Sequence, residues 1–322
     1  MKSLPPGLAP VLRMGASVLS GSGPRASLIL LTFHRVLAQS DALLPNEPSA
    51  ADFGAQLDLL RSLFNVLTVR EAVELRARNA LPARSLCITF DDGYRNNAEV
   101  ALPLLRARGM RATFFISTGY LNDGRMFNDT VTEAVRQAPA QLDLSDLGLG
   151  THTLPDAAAR LALIDKVLGK AKYLEPEPRR EFVQAMAERA GAKLPTNLMM
   201  TNDQVRELAA AGMEIGAHTV NHPILASIPA EQAEREISNS RATLQDLTGA
   251  EITSFAYPNG RPGKDYRDEH VGMVRKAGYQ CAVSTSWGKA AKTSDTYQLP
   301  RISPWDRSAP KYAARVLRSY LQ

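Results

Sequence analysis

The chain has 322 residues, 44% hydrophobic and 22% charged, a balance that supports a large core and excludes a disordered tail or a fibre. Its net charge of +5 is uneven: residues 261–322 carry 12 Lys/Arg against 5 Asp/Glu and residues 51–260 carry 22 against 26, so the excess is a basic C-terminal edge. No base-reading element accompanies that edge, which argues against a nucleic-acid partner, and two cysteines, Cys87 and Cys281, are too few for a disulfide scaffold and read as small buried hydrophobes.

Residues 1–27 read as a leader or surface segment. Pro5, Pro6 and Arg13 interrupt any secretory apolar region, and the longest apolar run nearby, Leu28–Phe33, is far too short to span a bilayer. Leu8, Val11, Leu12 and Val18 fall on one helical face, which suits either peripheral membrane contact or a plain surface leader. The weak leader favours a cytoplasmic or membrane-peripheral chain over a periplasmic one.

From residue 28 short apolar strands alternate with amphipathic helices. Leu28–Phe33 reads as a strand; Phe53, Leu57 and Leu60 line a helix; Thr68 with Glu71 forms a capping box for a helix toward Arg78. Strand Ser85–Phe90, helix Ala98–Arg108 and strand Ala112–Ser117 follow. Between about 121 and 198 the rhythm changes to successive helices, Thr130–Arg136, Ala157–Leu168 and Arg179–Ala190, with no comparable strand, which predicts a helical insertion. The alternation then resumes with strands Met213–Gly216, Thr253–Tyr257, Tyr279–Ser284 and Gln298–Ile302 and helices Asp203–Ala211, Glu231–Leu247, Tyr266–Ala277 and Ala309–Tyr320. Residues 28–322 therefore read as one α/β domain, a parallel sheet wrapped by helices, whose chemistry belongs where the strands end.

Three strand ends carry chemistry. Thr89-Phe90-Asp91-Asp92-Gly93 places two adjacent carboxylates at a turn, which fits either a helix-capping turn or one metal-binding carboxylate beside a free proton acceptor. His218-Thr219-Val220-Asn221-His222-Pro223 puts two of the chain's five histidines at i,i+4, on one face if the segment is a helical turn. Two imidazoles and a carboxylate suit zinc or another first-row divalent ion (cobalt, nickel or manganese), with positions left for water and substrate. His34, ending the first strand, could reach the same mouth.

These segments, with Phe255-Ala256-Tyr257-Pro258-Asn259-Gly260, resemble the principal motifs of metal-dependent polysaccharide deacetylases, the NodB-homology or carbohydrate esterase family 4 group. The resemblance covers most of residues 28–303 and implies a distorted (β/α)7-type barrel that removes acetyl groups from glycans. It implies Asp92, His218 and His222 as ligands of one divalent ion, Asp91 as the base, and a backbone N–H among Tyr257, Pro258, Asn259 and Gly260 as oxyanion donor. Where the family carries Arg this chain has Ala256, so Arg301 is expected to supply a guanidinium from another strand. No histidine follows His270, so the chain is similar to the circularly permuted poly-N-acetylglucosamine deacetylase branch, in which His34 occupies the acid's place. The expected substrate is an N-acetylhexosamine unit of a bacterial exopolysaccharide or envelope glycan, with O-acetyl esters as a further substrate class. A catalytically weak glycan-binding or assembly protein on the same fold is the alternative, prompted by Ala256 and the N-terminal position of the acid.

Overall fold

The computed structural model describes residues 4, 5, 7–172 and 174–322, which form two compact units: one of residues up to 39, 46–121 and 200–322, the other of 40–45 and 122–199. The strands in chain order are β1 (Leu28–Phe33), β2 (Asn65–Leu67), β3 (Ser85–Phe90), β4 (Thr113–Ile116), β5 (Gln141–Leu144), β6 (Gly150–Thr153), β7 (Glu214–Ala217), β8 (Ser254–Ala256) and β9 (Cys281–Val283). The helices are α1 (Leu8–Ser20), α2 (Ala50–Leu63), α3 (Val69–Ala77), α4 (Leu102–Arg106), α5 (Phe127–Gln137), α6 (Ala157–Ala171), α7 (Pro176–Arg189), α8 (Asn202–Ala210), α9 (Ala230–Thr248), α10 (Asp268–Lys276) and α11 (Ala309–Arg318).

In the first unit the strands pair in the order β1-β3-β4-β7-β8-β9, all parallel, with β2 on the first half of β3. β1 and β3 are buried along their whole length, as expected of parallel strands covered on both faces. Alternation divides their side chains: Ile29, Leu31, Ile88 and Phe90 join the large core under the helices, while Leu30, Cys87, Val283 and Cys281 form a second cluster. Both cysteines are buried and unlinked. The sheet curls without closing fully. Residues 299–302, expected as a strand, make only isolated bridges, Val283↔Leu299 to one edge and Leu31↔Ile302 to the other.

The expected elements are present in this unit with ends trimmed by a residue or two, and the Thr68–Glu71 capping box forms. The helix expected over Ala98–Arg108 is instead a wide π turn, Asn97–Ala101, running into α4. Pro103 explains this, since it has no N–H for the carbonyl of Glu99. The leader contains α1, whose Ala16 and Ser20 are buried; Pro6 lies outside the described residues.

The second unit holds α5, α6 and α7 around Val131, Val135, Leu163, Val167 and Met186. Besides the expected helices it holds a short antiparallel pair, β5 and β6, with Leu142 and Leu144 turned into this core. Four-residue strands that are half polar leave too weak a periodic signal beside three helices. Neither strand joins the seven-stranded sheet.

Candidate metal centre and active site

Asp91 and Asp92 leave the end of β3 at a turn in which Asp92 and Gly93 both take left-handed backbone, φ 76° and 92°. A Cβ on Gly93 would stand 3.1 Å from the Ile116 side chain, so glycine permits the turn that sends the two carboxylates to different tasks. Ser117 N–H donates to the Asp92 carbonyl at 3.2 Å and ties this turn to the end of β4.

His218 and His222 follow β7, but not as the helical turn their spacing suggested. Thr219 and His222 have φ of 64° and 51°, and the rings converge because the loop doubles back. It is held from two sides. Thr118 and Gly119 donate backbone N–H to the carbonyls of Thr219 and Val220, at 3.2 and 2.8 Å, and a Cβ on Gly119 would come within 2.8 Å of Val220 O. From α9 the buried Glu236 accepts from the N–H groups of Val220 and Asn221, at 2.8 and 2.7 Å, and from Asn221 Nδ2 at 2.7 Å. Glu236 was not anticipated, since nothing in the sequence separates it from Glu231 and Glu234 on the same helix.

The Nε2 atoms of His218 and His222 each lie 3.5 Å from Asp92 Oδ1, and one ligand atom from each residue falls within 4.8 Å of the others. Ligands around a tetrahedral zinc with bonds of about 2.1 Å stand roughly 3.4 Å apart, which the two separations from Asp92 match, so this donor set fits a divalent ion. His218 Nδ1 donates to the Ala256 carbonyl at 2.7 Å, which leaves Nε2 with its lone pair toward Asp92. Burial pushes the His218 pKa down to about 4, so the ring is neutral, as a ligand must be.

Beside this triad Arg301 grips Asp91 with both terminal nitrogens, each at 2.7 Å, and also donates to Thr89 Oγ1 and the Ser284 carbonyl, both at 3.1 Å. Burial alone would raise the Asp91 pKa, but the Arg301 charge, with His218 and His34, overrides it and holds the carboxyl at about 2. Thus a guanidinium from residue 301 stands by the motif whose third segment has Ala256, and the carbonyl of Ala256 orients a metal ligand. His34 is anchored through its carbonyl by Asn97 Nδ2 at 2.9 Å, while its side chain is open to solvent. The surrounding protein lowers its pKa, yet Asp92, Asp91 and Glu47 outweigh that and raise it above the ordinary histidine value.

Of the four residues expected around the oxyanion, Tyr257 and Gly260 have their N–H groups bonded, to Val283 O and Pro258 O, and Pro258 has none. Asn259, half-buried with φ 58°, has an N–H with no protein acceptor among the described residues. Tyr257 is buried and stacks on Tyr266 with centroids 3.8 Å apart, a packing role.

A cation site with coordination positions to spare, at the strand-end mouth of a parallel α/β sheet and beside an ionised carboxylate, defines a metal-dependent hydrolase. Residues 78–158 and 181–282, more than half of the chain, match the sequence family described as polysaccharide deacetylase, and the chain belongs to that family. YxkH of Bacillus subtilis (strain 168) is 22% identical over 299 residues, spanning 92% of this chain and 77% of YxkH. Among solved structures the fold is similar to the deacetylase PplD of Streptococcus pyogenes, solved with acetate (TM-score 0.61, 19% identity, 91% of this chain and 99% of that one). It is also similar to IcaB from Ammonifex degensii (TM-score 0.59, 20% identity, 92% and 98%). The protein is a metal-dependent deacetylase of acetylated glycans, and Asp92, His218 and His222 are its metal-binding triad.

Proposed function

We propose that the enzyme removes N-acetyl groups from hexosamine units of a bacterial exopolysaccharide or envelope glycan, with zinc held by Asp92, His218 and His222. A bound divalent ion would supply Lewis acidity, polarising the acetyl carbonyl and acidifying a water. The protein's own groups divide the rest. Asp91, ionised and fixed in direction by Arg301, takes the proton of the attacking water; Asn259 N–H donates to the oxygen on which charge develops; and His34 gives a proton to the departing nitrogen.

The observation that carries the N-acetyl reading is His34 itself. An amine leaves only when protonated, and an imidazole open to the mouth, its pKa raised above the ordinary histidine value by Asp92, Asp91 and Glu47 against the lowering effect of burial, is a group suited to deliver that proton. An O-acetyl ester has a better leaving group and depends less on that donor.

The test is product analysis on chemically defined N-acetylglucosamine oligomers and on O-acetylated glycans, with chelator and metal controls. Metal-dependent release of acetate with new amino groups and unchanged chain length is expected. Release from the O-acetylated glycans alone would overturn the N-acetyl assignment.

A further inference from the structure

We infer that α1 and the adjoining α11 form a face that docks the enzyme on an anionic membrane surface. Val11, Met14 and Val18 recur at i, i+3 and i+7, so they share one stripe of α1, and they are 58%, 67% and 78% exposed. The opposite side of the helix is spent on the fold: Ala16 belongs to the core and Leu12 packs against it. A helix that anchors itself with one side has no structural use for three large apolar side chains on the other.

α11 lies against α1, and both pack on the same core. α11 presents Lys311 and Arg318 to solvent, neither with an acidic partner among the described residues. Beside them Trp287 and Trp305, 42% and 56% exposed, pack on each other at a tilt with centroids 5.6 Å apart and line a groove of about 760 Å³. Arg315 lies 3.8 Å over Trp305 and takes up Asp306, the one acidic side chain that lines the groove. Residues 1–34 and 307–322 contain no Asp or Glu at all.

Charge decides which partner fits. Apolar side chains, indoles and unopposed cations on one side are what a headgroup layer with anionic lipids receives: the stripe enters the acyl boundary, indoles sit at the interface, and Lys and Arg meet the phosphates. A second copy docking by the same face would set Lys311 and Arg318 against like charges. A sugar chain could stack on the indoles but would leave the α1 stripe in water. The contact is peripheral, because no helix among the described residues is long and apolar enough to cross a membrane.

The chain has only two tryptophans, both on this face, so its intrinsic fluorescence reports the contact directly. Purified protein is mixed with vesicles of phosphatidylcholine alone or with phosphatidylglycerol, and both sedimentation and emission are read. Binding and a blue shift are expected with the anionic vesicles only, weakening as salt rises. Each basic side chain brought to the surface strengthens binding about fivefold, so the pair Lys311→Glu/Arg318→Glu should lower partitioning by at least about tenfold. The pair Met14→Glu/Val18→Glu should do the same, and both variants should keep acetate release from a soluble glycan.

Binding to neutral and anionic vesicles alike, no binding, or variants that bind as wild type would overturn the proposal. So would a dimer that Val18→Glu dissolves, or a blue shift given by soluble glycan and not by vesicles; these outcomes assign the face to a second copy or to sugar. The inference rests on this surface alone, so its failure leaves the deacetylase reading intact.

Discussion

Replacing Glu236 by Ala removes the acceptor of three hydrogen bonds from the loop that carries both metal-binding histidines. Hydrogen bonds to a charged group contribute about 1.5–3 kcal/mol each, and losses at one site overlap because the freed N–H groups can partly recover water. Buried donors left without an acceptor cost about 1–3 kcal/mol each, so with partial rehydration a net loss of about 3 kcal/mol is the scale. Thr219 and His222 are held in left-handed backbone, at about 1–3 kcal/mol each, and Glu236 is one of the clamps that keep them there. Once it is gone the loop can relax, and His222 moves away from Asp92. Metal affinity should fall by about 10–100-fold, the usual effect of removing a group that orients ligands, on top of a lower unfolding temperature for the metal-free protein. Glu236→Gln keeps one acceptor oxygen and should recover much of both. Chelator competition for affinity and thermal unfolding of the apo protein separate the two effects. A Glu236→Ala variant with wild-type affinity and unfolding temperature would refute the reasoning.

Asp91→Asn should keep metal stoichiometry and lose at least about 10²-fold in turnover, since it removes the proton acceptor and spares the ligands; metal analysis beside acetate release checks it. Arg301→Ala should raise the Asp91 pKa from about 2, because burial is then opposed only by the neighbouring histidines; NMR titration of the Asp91 carboxyl in the metal-free protein checks it, and an unmoved value would show that Arg301 does not set it. The same depressed pKa makes Asp91 a source of stability that is complete above the unfolded value of about 3.9 and is lost as pH falls toward 2, so acid unfolding of Arg301→Ala should begin at higher pH. His34→Gln should bind metal normally and lose about 10²-fold in turnover, together with the fall in rate expected of the wild type as pH rises through the raised His34 pKa; an alkaline limb present in both would exclude His34 as the proton donor.

The barrel was legible because parallel strands buried on both faces, such as Leu28–Phe33 and Ser85–Phe90, write themselves as mostly apolar runs broken only by Ser or Thr. The triad was legible because its residue types are rare here and stand directly after such runs. What stayed hidden has a different physics. The i,i+4 spacing of His218 and His222 suggested a helix, whereas left-handed residues and a distant carboxylate bring the rings together, and sequence spacing records neither. The strands β5 and β6 are too short and too polar for their period to register. Arg301 could be singled out from the gap at Ala256, but its two-pronged hold on Asp91 is a contact across 210 residues that only the folded chain displays.

The isolated bridges at residues 299–302 make that stretch a seam, and Arg301 lies within it. Without it Asp91 is a buried carboxylate that lacks its two-pronged partner, whatever the rest of the sheet does. A chain nicked before this stretch therefore loses the group that aims its base, which ties catalytic competence to four residues that belong to no regular strand.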